Sequence, residues 1–312
     1  MNDGLHNNKS LANELEPSAM VNTANKLSVV VLSYNTINIT THCIESLYEY
    51  SPITRGLEIV VVDNASCDGS ADFIHGRFPD IKLIRNSTNR GFAAGCNQGI
   101  RSSMGDFILL LNSDAALIDQ SLDILIDFMG RNPDVGICGG LMLSDDGTPQ
   151  PSCHIFPSYT NLLFSKNWLL NPLSFFKKRF EKYREIPARN TDVDAVSGGF
   201  FLIRREALSN IGLMDERFFF YVEDIDISRR IKKAGWRVVI IPKAKVYHVG
   251  GASAKLRPSR TYAWHHISLF KYFMKYYPYL LPLNLLLGLG LSFHLLLSFL
   301  VGFFKKLGRK SC

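Results

Sequence analysis

Three short runs constrain this fold more than anything else in the chain: LSVVVL at 27–32, LEIVVV at 57–62 and FILLL at 107–111. Each is aliphatic or β-branched almost throughout. Each stops at a polar cluster: Ser33-Tyr34-Asn35, Asp63-Asn64-Ala65-Ser66 and Asn112-Ser113-Asp114. Short runs without polar alternation are the mark of strands buried on both faces, as in a parallel sheet. The segments between them read differently. Residues 38–50 place Ile39, Cys43, Leu47 and Tyr50 on one helical face, with a cap expected at Asn38 or Thr40. A short helix near 71–78, a third strand at Ile81–Ile84 and a helix over 92–103 follow. Gly95 and Gly99 inside that last helix each cost about 1 kcal/mol relative to Ala, so they imply close approach of another backbone. Strands alternating with helices predict an α/β fold: a mostly parallel central sheet flanked by helices on both faces. All three polar clusters then fall on one edge, outside the carboxyl ends of the strands, where such sheets bind ligands. Alone, Asn112-Ser113-Asp114 is equally well a turn; the convergence of three clusters favours a site.

The second half continues with an amphipathic helix at 119–130, a strand at Val135–Leu143 and a hairpin turn at Asp145-Asp146-Gly147. Residues 160–190 mix aromatics with Lys and Arg, which fits an irregular surface insertion or a flap facing membrane or acceptor. In VDAVSGGFFLI (193–203) a strand-like run is interrupted at Ser197-Gly198-Gly199, the pattern of a bulge or of backbone approaching a ligand. FFFYVEDIDISRR (218–230) places Glu223 and Asp224 at a helix start, with Gly235 as the stop. The helix dipole favours acids in a first turn, yet Glu223, Asp224 and Asp226 are more than a cap needs. A last strand at Arg237–Ile241 leads to Tyr247-His248-Val249-Gly250-Gly251.

The net charge of +7 would suggest nucleic acid if it were spread over the chain. It is not. Residues 251–312 hold nine Lys or Arg and no acid, while the other 250 carry 26 basic and 28 acidic residues. Residues 276–304 contain no Lys, Arg, Asp or Glu, and 280–304 exceed the roughly 20 apolar residues that span a bilayer. Tyr, Trp264 and Lys precede this run where interfacial anchors sit. Basic residues flank it on both sides, so a single crossing and a re-entrant or in-plane helix pair kinked near Gly288 and Gly290 are both open. Membrane lipid is the expected partner of residues 255–312, and no nucleic acid is expected. The polar N-terminus has no apolar signal segment, so export is not expected. The six cysteines lack metal-type spacing and read as free thiols. Three regions follow: a mobile arm at 1–26, a globular domain at 27–254 divided near 118, and a basic, apolar tail at 255–312.

The strand ends collect acids, Asn, Ser and one His. There is no G-x-x-x-x-G-K-[ST] loop, no G-x-G-x-x-G after the first strand and no nucleophile elbow. Phosphate-loop chemistry, nicotinamide binding and serine hydrolysis lose support. A carboxylate for a hard divalent cation and a second one for proton removal remain. In order, LSVVVLSYN, EIVVVDNASCDGS, NRGFAAGCNQGI, LLLNSD, SGGFFLIRREAL, FFFYVEDIDISRR and YHVGG resemble the family 2 inverting glycosyltransferases of the GT-A fold. The likeness covers about 27–251 and is closest to bacterial rhamnosyltransferases of O-antigen and cell-wall synthesis.

The resemblance implies a nucleotide-sugar half at 27–118 and an acceptor half at 119–254. It implies that Asp63 accepts from a uracil or thymine N–H, that Ser33, Tyr34 and Asn35 pack on the nucleoside, and that Arg90 and Asn97 lie near the donor. Asn112-Ser113-Asp114 stands where the family has Asp-x-Asp. Asp114 keeps the metal position and His248 matches a further ligand for Mg²⁺ or Mn²⁺, whereas Asn112 departs from the pattern. Asp224 matches the catalytic base, Glu223 its acidic neighbour, and Gly198-Gly199 would line the acceptor site. The implied reaction moves a sugar, with L-rhamnose from dTDP-L-rhamnose as the first expectation and a UDP-hexose as the alternative. Its acceptor would be a polyprenyl-diphosphate-linked saccharide at the cytoplasmic face of the bacterial inner membrane. A nucleotidyltransferase would want a Gly- and Lys/Arg-rich loop after the first strand, which LSYNT is not. A non-catalytic nucleotide-sugar binder is disfavoured by the retained Asp114, Asp224 and His248.

Overall fold

The structure, a computed structural model, describes residues 26–50, 57–163, 187–250 and 258–308. Residues 1–25 of the arm and residues 164–186 of the aromatic-basic segment lie outside them. In chain order the elements are β1 (Leu27–Ser33), α1 (Ile37–Tyr50), β2 (Leu57–Asp63), α2 (Ser70–Arg77), β3 (Lys82–Arg85), α3 (Phe92–Ser102), β4 (Phe107–Asn112), β5 (Ala115–Leu117), α4 (Ser121–Arg131) and β6 (Val135–Leu143). Then come β7 (Cys153–His154), α5 (Tyr159–Leu163), β8 (Thr191–Asp192), β9 (Ala195–Val196), β10 (Phe200–Arg204), α6 (Arg205–Ile211), α7 (Glu223–Lys233) and β11 (Arg237–His248). Two long helices finish the chain: α8 (Pro258–Tyr276) and, after a single 3₁₀ turn, α9 (Leu281–Gly308).

One sheet runs β3-β2-β1-β4-β10-β6-β11-β5, with β8 paired to β11. Its first four strands are parallel, as their sequence pattern predicts. The second half is mixed: β10 is antiparallel to both β4 and β6. Register explains the shared edge. Ser33 pairs with Asp63, and Leu32 with Asn112, so three polar clusters end at one level of the sheet.

The unbroken hydrophobicity of β1 and β4 reflects a sheet covered on both faces. Val29, Val31, Leu109 and Leu111 join the core against α1, α2 and α4, whereas Val30, Ile108 and Leu110 join the core beneath α3, α6 and α7. Gly95 and Gly99 let α3 sit directly on β1: a Cβ there would come within 2.4 Å of Leu32 and 2.3 Å of Val30. Helix α1 begins at Ile37, one residue before the expected cap region, so Thr36 precedes it and its hydroxyl meets that of Thr40 at 3.0 Å. The described cysteines are free, four of them buried.

The C-terminal helices form a hairpin. Its contacts pair His266 with His294, Phe270 with Gly288 and Tyr277 with Asn284, an antiparallel order. The bend lies at Tyr277–Leu280, and α9 continues through Gly288 and Gly290 without interruption, so the kink expected near those glycines is not there. The reason is local: Pro278 starts the 3₁₀ turn, while Gly288 is used for close packing against Phe270. A third core, with Phe218, Val222, Leu269, Tyr272, Phe273, Leu287 and Leu291, fastens the hairpin to the domain.

Candidate active site

The site is built along the C-terminal edge of the parallel strands. At its β1–β2 side the chain leaves β1 through Asn35 (φ 53°) and passes Ala65 (φ 68°) after β2. Both turns are stapled together. The Asn35 N–H donates to Ser66 Oγ at 2.9 Å, and the Cys67 N–H donates to Asn35 Oδ1 at 2.7 Å. Asp63, 2% exposed, accepts the Ser66 N–H on Oδ1 at 3.0 Å, while its buried Oδ2 has no hydrogen-bond partner. Buried carboxylate oxygens normally have partners, so this one marks a place for an external donor. Tyr34, which directly follows β1, is half-buried. Ser33 is buried, and its hydroxyl meets Thr40 at 3.0 Å within the domain rather than at the edge.

Asn64 was not singled out by sequence reasoning, although it follows Asp63 directly. It is buried and organises the next loop. Its amide donates to Asn89 Oδ1 at 3.0 Å and to the Gly91 carbonyl at 3.2 Å, and its Oδ1 accepts from Asn86 Nδ2 and the Arg90 N–H. The Arg90 backbone is thereby pinned and its side chain is exposed. Asn97 is engaged within the fold. Its amide is occupied by Met214 O and Glu216 Oε1, both at 2.9 Å, and its Oδ1 accepts the Met214 N–H. It ties α3 to the 214–216 loop, and no free amide group remains for a ligand.

At the end of β4, Asp114 Oδ1 lies 3.2 Å from His248 Nε2, and Asn112 Nδ2 lies 3.3 Å from the same nitrogen. The last residues of β11 bring His248 there by pairing with β5: His248 faces Ala115. Gln150, also missed from sequence, sets the imidazole. Its Nε2 donates to the carbonyl of His248 at 2.7 Å, so its Oε1, 2.9 Å from Nδ1, must accept. The proton therefore sits on Nδ1, and in the neutral ring the Nε2 lone pair faces Asp114. A carboxylate oxygen and an imidazole lone pair at this separation fit a divalent cation, with the outer partner in place. Two protein ligands leave positions for phosphate oxygens and water, as Mg²⁺ sites commonly do. Ser113 is buried.

The acid pair opens α7. Tyr221 (φ 67°) and Val222 (φ 73°) are both left-handed immediately before it. Such conformations cost on the order of 1–3 kcal/mol each for non-glycine residues, and for a β-branched Val this is a genuine outlier. The strained turn delivers Glu223 and Asp224 in opposite settings. Glu223 is buried with Oε2 unpartnered, and burial, followed by the Asp224 charge, pushes its carboxyl well above the usual range. Asp224 is half-exposed and accepts the Gly198 N–H on Oδ2 at 2.9 Å.

Gly198-Gly199 joins the two clusters. A Cβ on Gly198 would lie 3.3 Å from Asp224 Cβ; one on Gly199 would lie 2.7 Å from Met142 Sδ and 3.5 Å from His248 Nε2. Gly199 O also accepts the Asn112 N–H at 3.0 Å. The interruption in VDAVSGGFFLI is thus where backbone fits between the His248 group and the acid pair. Tyr221 is 38% exposed, and burial of the rest of it, then Glu223 and Asp114, raise its phenol.

A sheet that is parallel in its first half and mixed in its second, with helices on both faces, is the GT-A kind of glycosyltransferase fold. Residues 28–212 match Glycosyl transferase family 2, and the chain belongs to that family; it is a glycosyltransferase. Over 231 residues it is 29% identical to the N-acetylglucosaminyl-diphospho-decaprenol L-rhamnosyltransferase of Mycobacterium tuberculosis, covering 69% of this chain and 74% of that one. Two solved structures share the fold. One is a mannosyltransferase from Pyrobaculum calidifontis in complex with GDP-Man and Mn²⁺ (TM-score 0.53, 18% identity, 86% of this chain and 73% of that one). The other is GalNAc-T7 with UDP, GalNAc and Mn²⁺ (TM-score 0.54, 16% identity), of which the match covers 43% against 72% of this chain.

Proposed function

We propose that this chain is an inverting glycosyltransferase that moves L-rhamnose from dTDP-L-rhamnose to a polyprenyl-diphosphate-linked saccharide. The observation that carries the reading is the single edge on which Asp63, the Asp114–His248 pair and Asp224 meet. The Mycobacterium tuberculosis relative, named as a rhamnosyltransferase acting on a decaprenyl diphosphate sugar, supports the choice of donor and acceptor.

The unpartnered Asp63 Oδ2 accepts the ring N–H of thymine or uracil, and Tyr34 and Asn35 flank the nucleoside. Asp114 and His248 would hold Mg²⁺ or Mn²⁺, which would offset the charge developing on the departing diphosphate. Asn112 places its amide 3.3 Å from His248 Nε2, in the position of the family's first aspartate. Asp224 removes the proton of the attacking acceptor hydroxyl. The new C–O bond forms on the face opposite the breaking bond to the nucleoside diphosphate, so configuration inverts. The Gly198 N–H fixes the Asp224 carboxylate, and small residues there leave room for the acceptor sugar.

Helix α9 is long and apolar enough to cross a membrane. Yet its Asn284–Leu291 face is covered by α8 and the domain, while Leu286 and Leu289 are 64% and 69% exposed. This supports an in-plane seat at the cytoplasmic face, where a lipid-linked acceptor is concentrated.

A thermal-shift panel tests the reading. With Mn²⁺ present, dTDP-L-rhamnose should stabilise the protein, by about 2.7 kcal/mol at 100 times its Kd. UDP-hexoses should do so less. Absence of a shift with every nucleotide sugar overturns the proposal, and a larger shift with a UDP-hexose reassigns the donor.

A further inference from the structure

Side chains of α8 meet the segment 215–226 on both sides of the strained turn that precedes the acid pair, two of them on the turn itself. Trp264 stacks on Phe219 with ring centroids 4.4 Å apart. Ser268 Oγ donates to the Phe220 carbonyl at 2.9 Å. Lys271 Nζ donates to the Arg217 carbonyl at 2.8 Å. One turn further on, Lys275 Nζ reaches Asp215 at 2.8 Å and Asp226 at 2.5 Å, and the Tyr276 hydroxyl donates to Asp226 at 2.8 Å. Asp226 is fully buried and also accepts from Arg230. The spacing 264, 268, 271, 275 is that of a single helical face.

The other side of the turn rests on the donor half. The Phe92 N–H donates to the Phe219 carbonyl at 2.7 Å. A Cβ on Gly91 would lie 2.6 Å from that carbonyl oxygen and 2.7 Å from the Phe219 ring. Phe219 is therefore gripped between Gly91 and Trp264. Two consecutive left-handed residues, one of them Val, persist only where the surroundings over-determine them. Here the determinants come from α3 on one side and from α8 on the other.

We infer that α8 is a latch on the catalytic turn, with Trp264, Ser268 and Lys271 as positioning residues that hold residues 219–222 and so aim Asp224. The C-terminal hairpin is then part of the active site as well as the lipid-facing element. α9 adds Leu287 and Leu291 to the same buried core as Phe218 and Val222, so it packs behind the turn together with α8. The inference rests on Asp224 being the base.

The experiment uses the full chain in vesicles with three variants: Ser268→Ala/Lys271→Ala, Trp264→Ala and Trp264→Phe. Amide hydrogen exchange over 219–226 is read together with binding of dTDP and UDP in Mn²⁺ and with transfer from dTDP-L-rhamnose to N-acetylglucosaminyl-diphospho-decaprenol. The latch predicts exchange at least ~10-fold faster in the first two variants. It predicts nucleotide affinity within about two-fold of wild type and kcat lowered ~10- to 100-fold. Trp264→Phe, which keeps the stacked ring, should restore most of both. Unchanged exchange over 219–226 overturns the latch whichever substrates prove correct. So does a parallel loss of nucleotide affinity and kcat, which is what general loosening of the domain produces. Asp224→Asn run alongside separates the two ideas: near-normal transfer in that variant sinks the base assignment, while the exchange data still judge the latch.

Discussion

The Gly198 N–H donates to Asp224 Oδ2 at 2.9 Å across 26 residues of chain. The adjacent residue, Gly199, packs against the His248 group. A two-residue glycine step thus sets the distance between the Asp114–His248 pair and Asp224. Gly199→Ala should be disruptive on both counts. Its Cβ would meet Met142 Sδ at 2.7 Å in a packed core, an overpacking that costs about 1–3 kcal/mol. Denaturant unfolding should show that loss, and Mn²⁺ affinity should fall with it.

Gln150 should control metal affinity without touching the metal. It fixes the His248 tautomer through Nδ1 at 2.9 Å. Gln150→Ala should weaken Mn²⁺ binding ~10- to 100-fold, as loss of an outer partner does, with His248→Ala at least as severe. Titration of Mn²⁺ in the presence of dTDP, followed by electron paramagnetic resonance, checks this. Chelator-resistant turnover would count against Asp114 and His248 together.

Much of this was legible in the chain before any coordinates. The strands β1, β2 and β4 end in polar clusters because they are buried on both faces and must surface at the edge, and their register brings those clusters level. Gly95 and Gly99 announced close packing for the same reason that Gly198-Gly199 did. What escaped were side chains whose partners are distant in sequence. Gln150 meets His248 across 98 residues, and Lys275 meets Asp226 across 49. Asp226 was visible as an excess acid, but only the fold shows it as the anchor of α8. Asn97, expected near the donor, has its side chain engaged by Met214 and Glu216, a pairing across more than 110 residues that the chain order does not reveal.

Glu223 should make stability fall with rising pH. Its carboxyl is raised well above the usual range by burial and by Asp224. The unfolded chain then releases this proton more readily than the folded one. The stability is fully present below the unfolded pKa of about 4.3 and is lost as pH climbs toward the folded value. Glu223→Gln should flatten that decline. Melting temperatures should match near pH 4 and diverge at pH 8, with the variant the more stable; equal melting at pH 8 would show that Glu223 is not held protonated.

The outward face of α9 should govern lipid binding independently of folding. Leu286, Leu289 and Phe293 are exposed, and the basic residues around the hairpin suit anionic headgroups. Replacing all three with Glu should abolish flotation with phosphatidylglycerol vesicles while leaving the melting temperature nearly unchanged. Retained flotation would place the membrane contact elsewhere.

Asp224→Asn tests the central claim most directly. The substitution preserves shape and removes the proton acceptor. With Mn²⁺ present, nucleotide binding should stay near wild type while transfer from dTDP-L-rhamnose to the decaprenyl-linked acceptor falls by ~10³-fold or more, since base and positioning act together. A loss smaller than about ten-fold, with binding intact, would contradict the account.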